Sequence, residues 1–206
     1  MATLRLTPST YQVSNSALSV TNAANMYTNT DSTTYATVTN TKSGTTTYYI
    51  YLRGFDFSQI PANASINSFS VKVRVRESGA AVSSTYSPYL CNNATALSGC
   101  TASVPSTTVQ TLTFNCNLSF ETIKGYGSNF TIRLTNRRNS RNTTSYLYIY
   151  GAEILVDYTI PEDALYVKEN GEWKQYSEAY KKVNGVWVKQ DDLKSVFASG
   201  IQYVKG

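Results

Sequence analysis

Four arginines crowd one stretch of the chain: Arg133, Arg137, Arg138 and Arg141, around the polar turn Asn136-Arg137-Arg138-Asn139-Ser140-Arg141-Asn142. A guanidinium fork grips carboxylate or phosphate with two parallel hydrogen bonds, so this cluster is a candidate site for acidic glycans or wall polymers. The same residues would equally serve a solvated loop or a contact to a neighbouring subunit. A second candidate is aromatic. Trp173 and Trp187 each close the same short motif, Asn170-Gly171-Glu172-Trp173 and Asn184-Gly185-Val186-Trp187. Indoles stack on sugars and choline-like cations, or form the core of a module that has little other bulk.

Catalytic chemistry finds few carriers. The sequence contains no histidine, which excludes His-dependent triads, imidazole bases and His-based metal sites. Of the carboxylates before residue 160, Glu153 and Asp157 read as sharing one strand face. They are candidates for a glycosidase pair or, more simply, for neutralising nearby Arg or Lys. No phosphate-cradling glycine loop, nucleophile elbow or Cys-x-x-Cys occurs. The expectation is a non-enzymatic protein without cofactor. Cys91 and Cys100 bracket a polar stretch, residues 92–99, that a disulfide would close as a loop. Three reduced, partly buried thiols are the favoured reading, and the odd count without histidine argues against zinc.

Charge is uneven. The formal +5 lies wholly in residues 1–160, with 11 Lys/Arg against 6 Asp/Glu, while residues 161–206 hold 7 of each. A modest basic surface suits an acidic neighbour. No dense Lys/Arg run marks a nucleic-acid binder, and no apolar stretch reaches the length of about 20 residues that a membrane helix needs. The start, Met1-Ala-Thr-Leu-Arg-Leu-Thr, alternates apolar and polar residues. A secretory signal has a basic head and an apolar block instead, so synthesis and assembly inside a cell are expected. The sequons at Asn63, Asn93, Asn117, Asn129 and Asn142 are then chance matches.

The elements that must position these side chains are strands. With 17 Tyr, abundant Thr and 15% charged residues, the chain favours pleated, half-buried surfaces. Residues 33–39 and 45–52 flank a polar 40–44 turn and read as a hairpin. In the next strand Phe69, Val71, Val73 and Val75 alternate with Lys72, Arg74 and Arg76, which predicts one core face and one basic face in water. Further strands are expected at 86–91, 109–114, 130–135 and 146–158, the last with a bulge or bend at Gly151. Residues 120–124 suggest one short helical turn. This is an all-β pattern, a β-sandwich of jelly-roll type over residues 1–160. Composition shifts at Pro161, and residues 161–206 form a small module of two Asn-Gly hairpins, because both positions of a type I′ turn need positive φ. Residues 166–168 should pair with 173–175, and 180–183 with 187–189. A helical turn at 191–197 and a last strand at 201–204 complete it.

Two stretches carry a resemblance. The run from Tyr51-Leu52-Arg53-Gly54-Phe55 through Ile60-Pro61-Ala62 to Ile66-Asn67-Ser68-Phe69 is similar to a carbohydrate-binding-module-like sandwich of phage and surface proteins. Ile154-Leu155-Val156-Asp157-Tyr158 resembles the closing strand of that domain. The tail, Tyr180-Lys181-Lys182-Val183-Asn184-Gly185-Val186-Trp187-Val188-Lys189-Gln190, resembles C-terminal segments of virion proteins from phages of low-GC Gram-positive bacteria. The resemblance implies a structural accessory protein of a bacteriophage virion, in the tail, baseplate, fibre or capsid decoration. Such a protein assembles in multiple copies with other virion proteins. Two further readings stand beside it: a lectin-like module recognising host cell-wall saccharide, and a bacterial surface adhesin.

Overall fold

The computed structural model describes residues 2–42, 46–78, 86–138, 144–160, 165–169, 172–176, 178–189 and 203–205. The chain divides into two compact units. One comprises Ala2–Ile60 and Ile66–Asp157, and the other Tyr158–Gly206 with Pro61–Ser65.

The larger unit is two stacked sheets built from eleven strands: β1 (Ala2–Leu6), β2 (Thr10–Val13), β3 (Leu18–Thr21), β4 (Ala36–Asn40), β5 (Thr46–Arg53), β6 (Ser65–Glu77), β7 (Tyr89–Asn92), β8 (Thr95–Thr101), β9 (Gln110–Thr113), β10 (Phe130–Arg138) and β11 (Ser145–Thr159). One sheet runs β3-β4-β11-β6-β9, with β1 also on β11, and the other runs β2-β5-β10-β7-β8. Counting β4 as first and β11 as eighth, the sheets therefore read first-eighth-third-sixth and second-seventh-fourth-fifth.

Period-two patterning decides what lies between them. Val71, Val73 and Val75 of β6 and Leu147 and Ile149 of β11, on one sheet, and Ile132 and Leu134 of β10 and Ile50 and Leu52 of β5, on the other, are all buried. Phe55 and Phe57 pack edge-on against Phe130, and Phe57 and Phe69 against Phe120, filling one end of the core. Phe120 opens α1 (Phe120–Gly125), the short helical turn expected there, and the Ser119 hydroxyl caps it by accepting from the Thr122 N–H at 3.2 Å.

At Gly151 the alternation of β11 slips by one residue. Leu147 and Ile149 are buried before it, Ala152, Ile154 and Val156 after it, which is the phase change of a bulge. Glycine is required there for a second reason: a Cβ at this position would lie 2.1 Å from the Asn29 carbonyl oxygen and 2.6 Å from that of Thr28.

Three expectations are corrected. The stretches read as a hairpin at 33–39 and 45–52 belong to different sheets, since β4 pairs with β3 and β11 while β5 pairs with β2 and β10. The polar linker between them is a crossover, fastened by Asn40 Nδ2 donating to the Asn136 carbonyl at 3.3 Å. The polar stretch after Cys91 is not a loop; β7 and β8 form a hairpin that turns at Asn93, whose φ is 53°. The third concerns the cysteines. Cys100 is bonded to Cys116, and Cys91 alone is free and buried. The Thr101–Asn115 bridge, with backbone bonds of 3.0 and 2.9 Å, sets Cys100 and Cys116 side by side with Cα atoms 4.1 Å apart.

The second unit holds the strands β12 (Leu165–Glu169), β13 (Glu172–Tyr176), β14 (Glu178–Val183), β15 (Val186–Lys189) and β16 (Tyr203–Lys205) among its described residues. Tyr166 pairs with Gln175 and Lys168 with Trp173, and Tyr180 pairs with Lys189 and Lys182 with Trp187, in the registers expected. Asn184 and Gly185 take φ of 50° and 86°, as a type I′ turn demands. β16 joins the other edge of β14. The helical turn expected at 191–197 lies outside the described residues.

Candidate functional site

The arginines divide by strand alternation. Even-numbered residues of β10 point inward and odd-numbered ones outward. Arg138 is therefore on the core side, 8% exposed, and donates from Nη1 to the carbonyls of Thr41 at 3.0 Å and Lys42 at 2.6 Å. It fastens the β4–β5 crossover and is no part of an open ligand site, which corrects its assignment. Arg141 lies outside the described residues.

Arg133 and Arg137 do share an outward face, but neither extends freely into solvent. The Arg133 guanidinium lies between two rings, 4.9 Å from the Tyr49 centroid and 4.8 Å from that of Tyr89, and Arg137 lies 5.2 Å from Tyr86. Register explains the arrangement: Arg133 stands opposite Tyr51 on β5 and Tyr89 on β7, and Thr135 opposite Tyr49. Each Nε of Arg133 and Arg137 is buried and makes no hydrogen bond within the described protein. Burial pushes the Tyr51 phenol up, and neighbouring Arg133 offsets part of that.

The face continues to a depression at its edge. Gln12, Tyr51, Arg53, Asn93, Ala94 and Thr131 line a cavity of about 320 Å³. Gln12 reaches it because β2 pairs with β5 with Gln12 opposite Tyr51 and Thr10 opposite Arg53. The Arg53 guanidinium donates from Nη1 to Gln12 Oε1 and from Nη2 to Asn93 Oδ1, the latter at 3.4 Å. Thr131 Oγ1 donates to the Asn93 carbonyl at 2.8 Å, holding the turn in place.

The carboxylates of the described residues pair elsewhere. Among the described residues the ion pairs are Arg5 with Asp31 and Glu153, and Lys124 with Glu121. Asp56 accepts from Ser58 backbone and side chain, which lowers its carboxyl below the usual range, and Asp157 is lowered by Thr3 and then Ser68. Arg53, Arg133 and Arg137 are thus three cations with no carboxylate pairing with them among the described residues.

The opposite sheet repeats the composition in a more closed form. Lys72, Arg74 and Arg76 of β6, expected in water, are half-buried. Arg76 stacks 4.1 Å from the Tyr148 centroid and its Nε donates to the Tyr150 hydroxyl at 3.2 Å, while Arg74 donates to the Thr30 carbonyl at 3.2 Å. These guanidinium groups are held by a ring and a hydroxyl of β11 and by the carbonyl of Thr30, which precedes β4.

The remaining candidates are placed as follows. Glu153 is 2% exposed, bonded to Arg5 at 3.2 Å and Thr30 at 2.7 Å. Asp157 lies four residues further along β11 and accepts from Thr3 and Ser68, each at 2.7 Å. Four residues of strand span roughly 13 Å, beyond the roughly 5–9.5 Å of a glycosidase pair. The Asn184-Gly185 turn is exposed, and Trp173 and Trp187 each sit opposite a lysine in their hairpins. The side chains of both tryptophans, and Asn170 and Gly171 altogether, lie outside the described residues. Among the described residues no group of acidic or cysteine side chains has the makings of a metal site. No motif marks Tyr49, Tyr89, Arg53 and Gln12 as site residues, although the alternation Tyr49, Tyr51, Arg53 announces a shared outward face.

The chain matches no protein-family model, no curated protein and no solved structure, so a functional reading rests on the chemistry of these side chains.

Proposed function

We propose that the chain is a non-enzymatic attachment component of a bacteriophage particle, whose sandwich is a lectin-like jelly roll that binds acidic saccharide of a host wall. The observation that carries this reading is the outward face of the β2-β5-β10-β7-β8 sheet. There Tyr49, Tyr51 and Tyr89 alternate with Arg53, Arg133 and Arg137. Tyrosine rings give flat surfaces for sugar rings, and guanidinium groups without an internal counter-ion attract carboxylate or phosphate. The first-eighth-third-sixth and second-seventh-fourth-fifth strand orders support the jelly-roll reading, which nests two Greek keys. The separate, charge-balanced hairpin unit supports a division of labour, with one unit docking on a larger assembly in repeated copies and the other presenting the face.

The test is binding of wall polysaccharides, acidic and neutral, to the full chain and to an Arg133→Ala/Arg137→Ala variant. The variant should bind acidic polymer at least about tenfold more weakly, by the loss of charge-assisted hydrogen bonds. Lys72→Ala, which removes a charge from the other sheet, should change little. No binding by the wild type at millimolar saccharide, or equal losses in both variants, would overturn the recognition role and leave a purely structural part of the particle.

A further inference from the structure

The depression beside Arg53 has a character of its own. Its cation is oriented, because amide oxygens from two different strand segments, Gln12 on β2 and Asn93 at the β7–β8 turn, accept from separate Nη atoms. A guanidinium has five N–H donors. Two are engaged here, and three remain for a ligand. The oxygens that hold it are neutral amides, so its charge is steered but not cancelled. The floor is fixed as well. Thr131 is fully buried, Tyr51 is 8% exposed, and Asn93 is held in its left-handed conformation by the hydrogen bond from Thr131. The volume, about 320 Å³, sits at the small end of ligand cavities.

We infer that this depression is an anion subsite for a carboxylate-bearing sugar unit, with Arg53 as its anchor, Gln12 and Asn93 as positioning residues and the edge of the Tyr51 ring as a wall. The inference rests on the saccharide-binding reading of this sheet and deepens it. The extended Tyr/Arg face supplies affinity for the chain of the polymer. The depression selects for one acidic residue within it, because a planar carboxylate takes two parallel N–H bonds from a guanidinium that is already oriented.

The substitutions that test it are Arg53→Gln and Gln12→Glu. The first removes the charge. The second keeps Arg53 and neutralises it in place with a near-isosteric carboxylate, so it reports on the subsite even where the first variant folds poorly. Calorimetry on the full chain would use three probes: a glucuronate-containing oligosaccharide, the same oligosaccharide with its carboxyl reduced to the alcohol, and a polyol-phosphate oligomer. The wild type should prefer the carboxylate form over its reduced counterpart by about tenfold or more. Either variant should erase that preference. Equal binding of acidic and reduced sugars by the wild type overturns the subsite but not the wider reading of the face. An unchanged preference in both variants overturns Arg53 as the anchor. Stronger binding of the polyol phosphate reassigns the pocket to phosphate. Failure of all three probes to bind overturns the wider reading and this one with it.

Discussion

The Arg133 guanidinium stands 4.9 Å from the centre of the Tyr49 ring, on the neighbouring strand of the same sheet. With Tyr89 at 4.8 Å on its other flank, the cation is as much a packing element as a charge. Arg133→Ala should cost about 1–2 kcal/mol in urea unfolding, the sum expected of two partly desolvated cation–π contacts. Arg133→Lys should recover only part, because an ammonium cannot stack as a plane. An unchanged unfolding midpoint for the alanine variant would show the stacking to be energetically idle.

Gly151→Ala is expected to be the most damaging conservative change in the sandwich. The new methyl would meet two backbone carbonyl oxygens, at 2.1 and 2.6 Å, and backbone cannot swing aside as a side-chain tip can. It would also strain the bond from the Ala152 N–H to the Thr28 carbonyl, now 2.9 Å. A loss on the order of 3 kcal/mol or more is expected in thermal unfolding. A loss below that of a routine surface change would contradict the close approach.

Cutting the Cys100–Cys116 bond should weaken the sandwich by about 3 kcal/mol, the loop-closure entropy of a bond spanning a separation of 16 residues. The paired serine variant and the wild type in strong reductant should unfold at matching midpoints. Indifference of the wild type to reductant would mean the bond contributes nothing.

The Ser119 cap of α1 offers a smaller, local test. Ser119→Ala leaves the Thr122 N–H without its acceptor and should cost about 1 kcal/mol. Ser119→Asp should restore most of it, since a carboxylate caps equally well. Restoration by neither Asp nor Asn would place the serine's contribution elsewhere.

Acid should expose the role of Asp157, whose carboxyl is lowered by bonds from Thr3 and Ser68. A carboxyl lowered on folding adds stability above its unfolded value, here 3.8, and that stability is lost as pH falls through the lower folded value. Asp157→Asn should therefore lower stability at neutral pH and flatten its decline below about pH 4. An identical acid limb in both proteins would remove the effect.

Local signals were legible in the sequence and pairings between distant segments were not. β6, β10 and β11 announced themselves through period two, and Asn184-Gly185 fixed its hairpin because few other dipeptides accept positive φ twice. A polar turn does not reveal which sheet the following strand will join, so sequence alone suggests a β4–β5 hairpin where the chain crosses between sheets. Disulfide connectivity had the same difficulty: Cys116 neighbours Cys100 only after β8 and β9 are placed. Arg53 and Gln12 stand 41 positions apart, and nothing short of the β2–β5 register brings them to one cavity.

The crossover at Asn40, where the chain leaves one sheet for the other, has a consequence in time. β4 lies beside β3 but gains its second partner only when β11 exists, with Ala36 against Ile149, and β5, beside β2, likewise waits for β10, with Leu52 against Ile132. Contacts so distant in sequence pay their loop-closure entropy before any reward, which slows folding. A nascent chain can therefore complete neither sheet until most of residues 1–159 have left the ribosome. The β14–β15 hairpin, whose strands are separated by two residues, can close within microseconds. This hairpin can thus form local order early, while the two-sheet unit is completed slowly and as a whole.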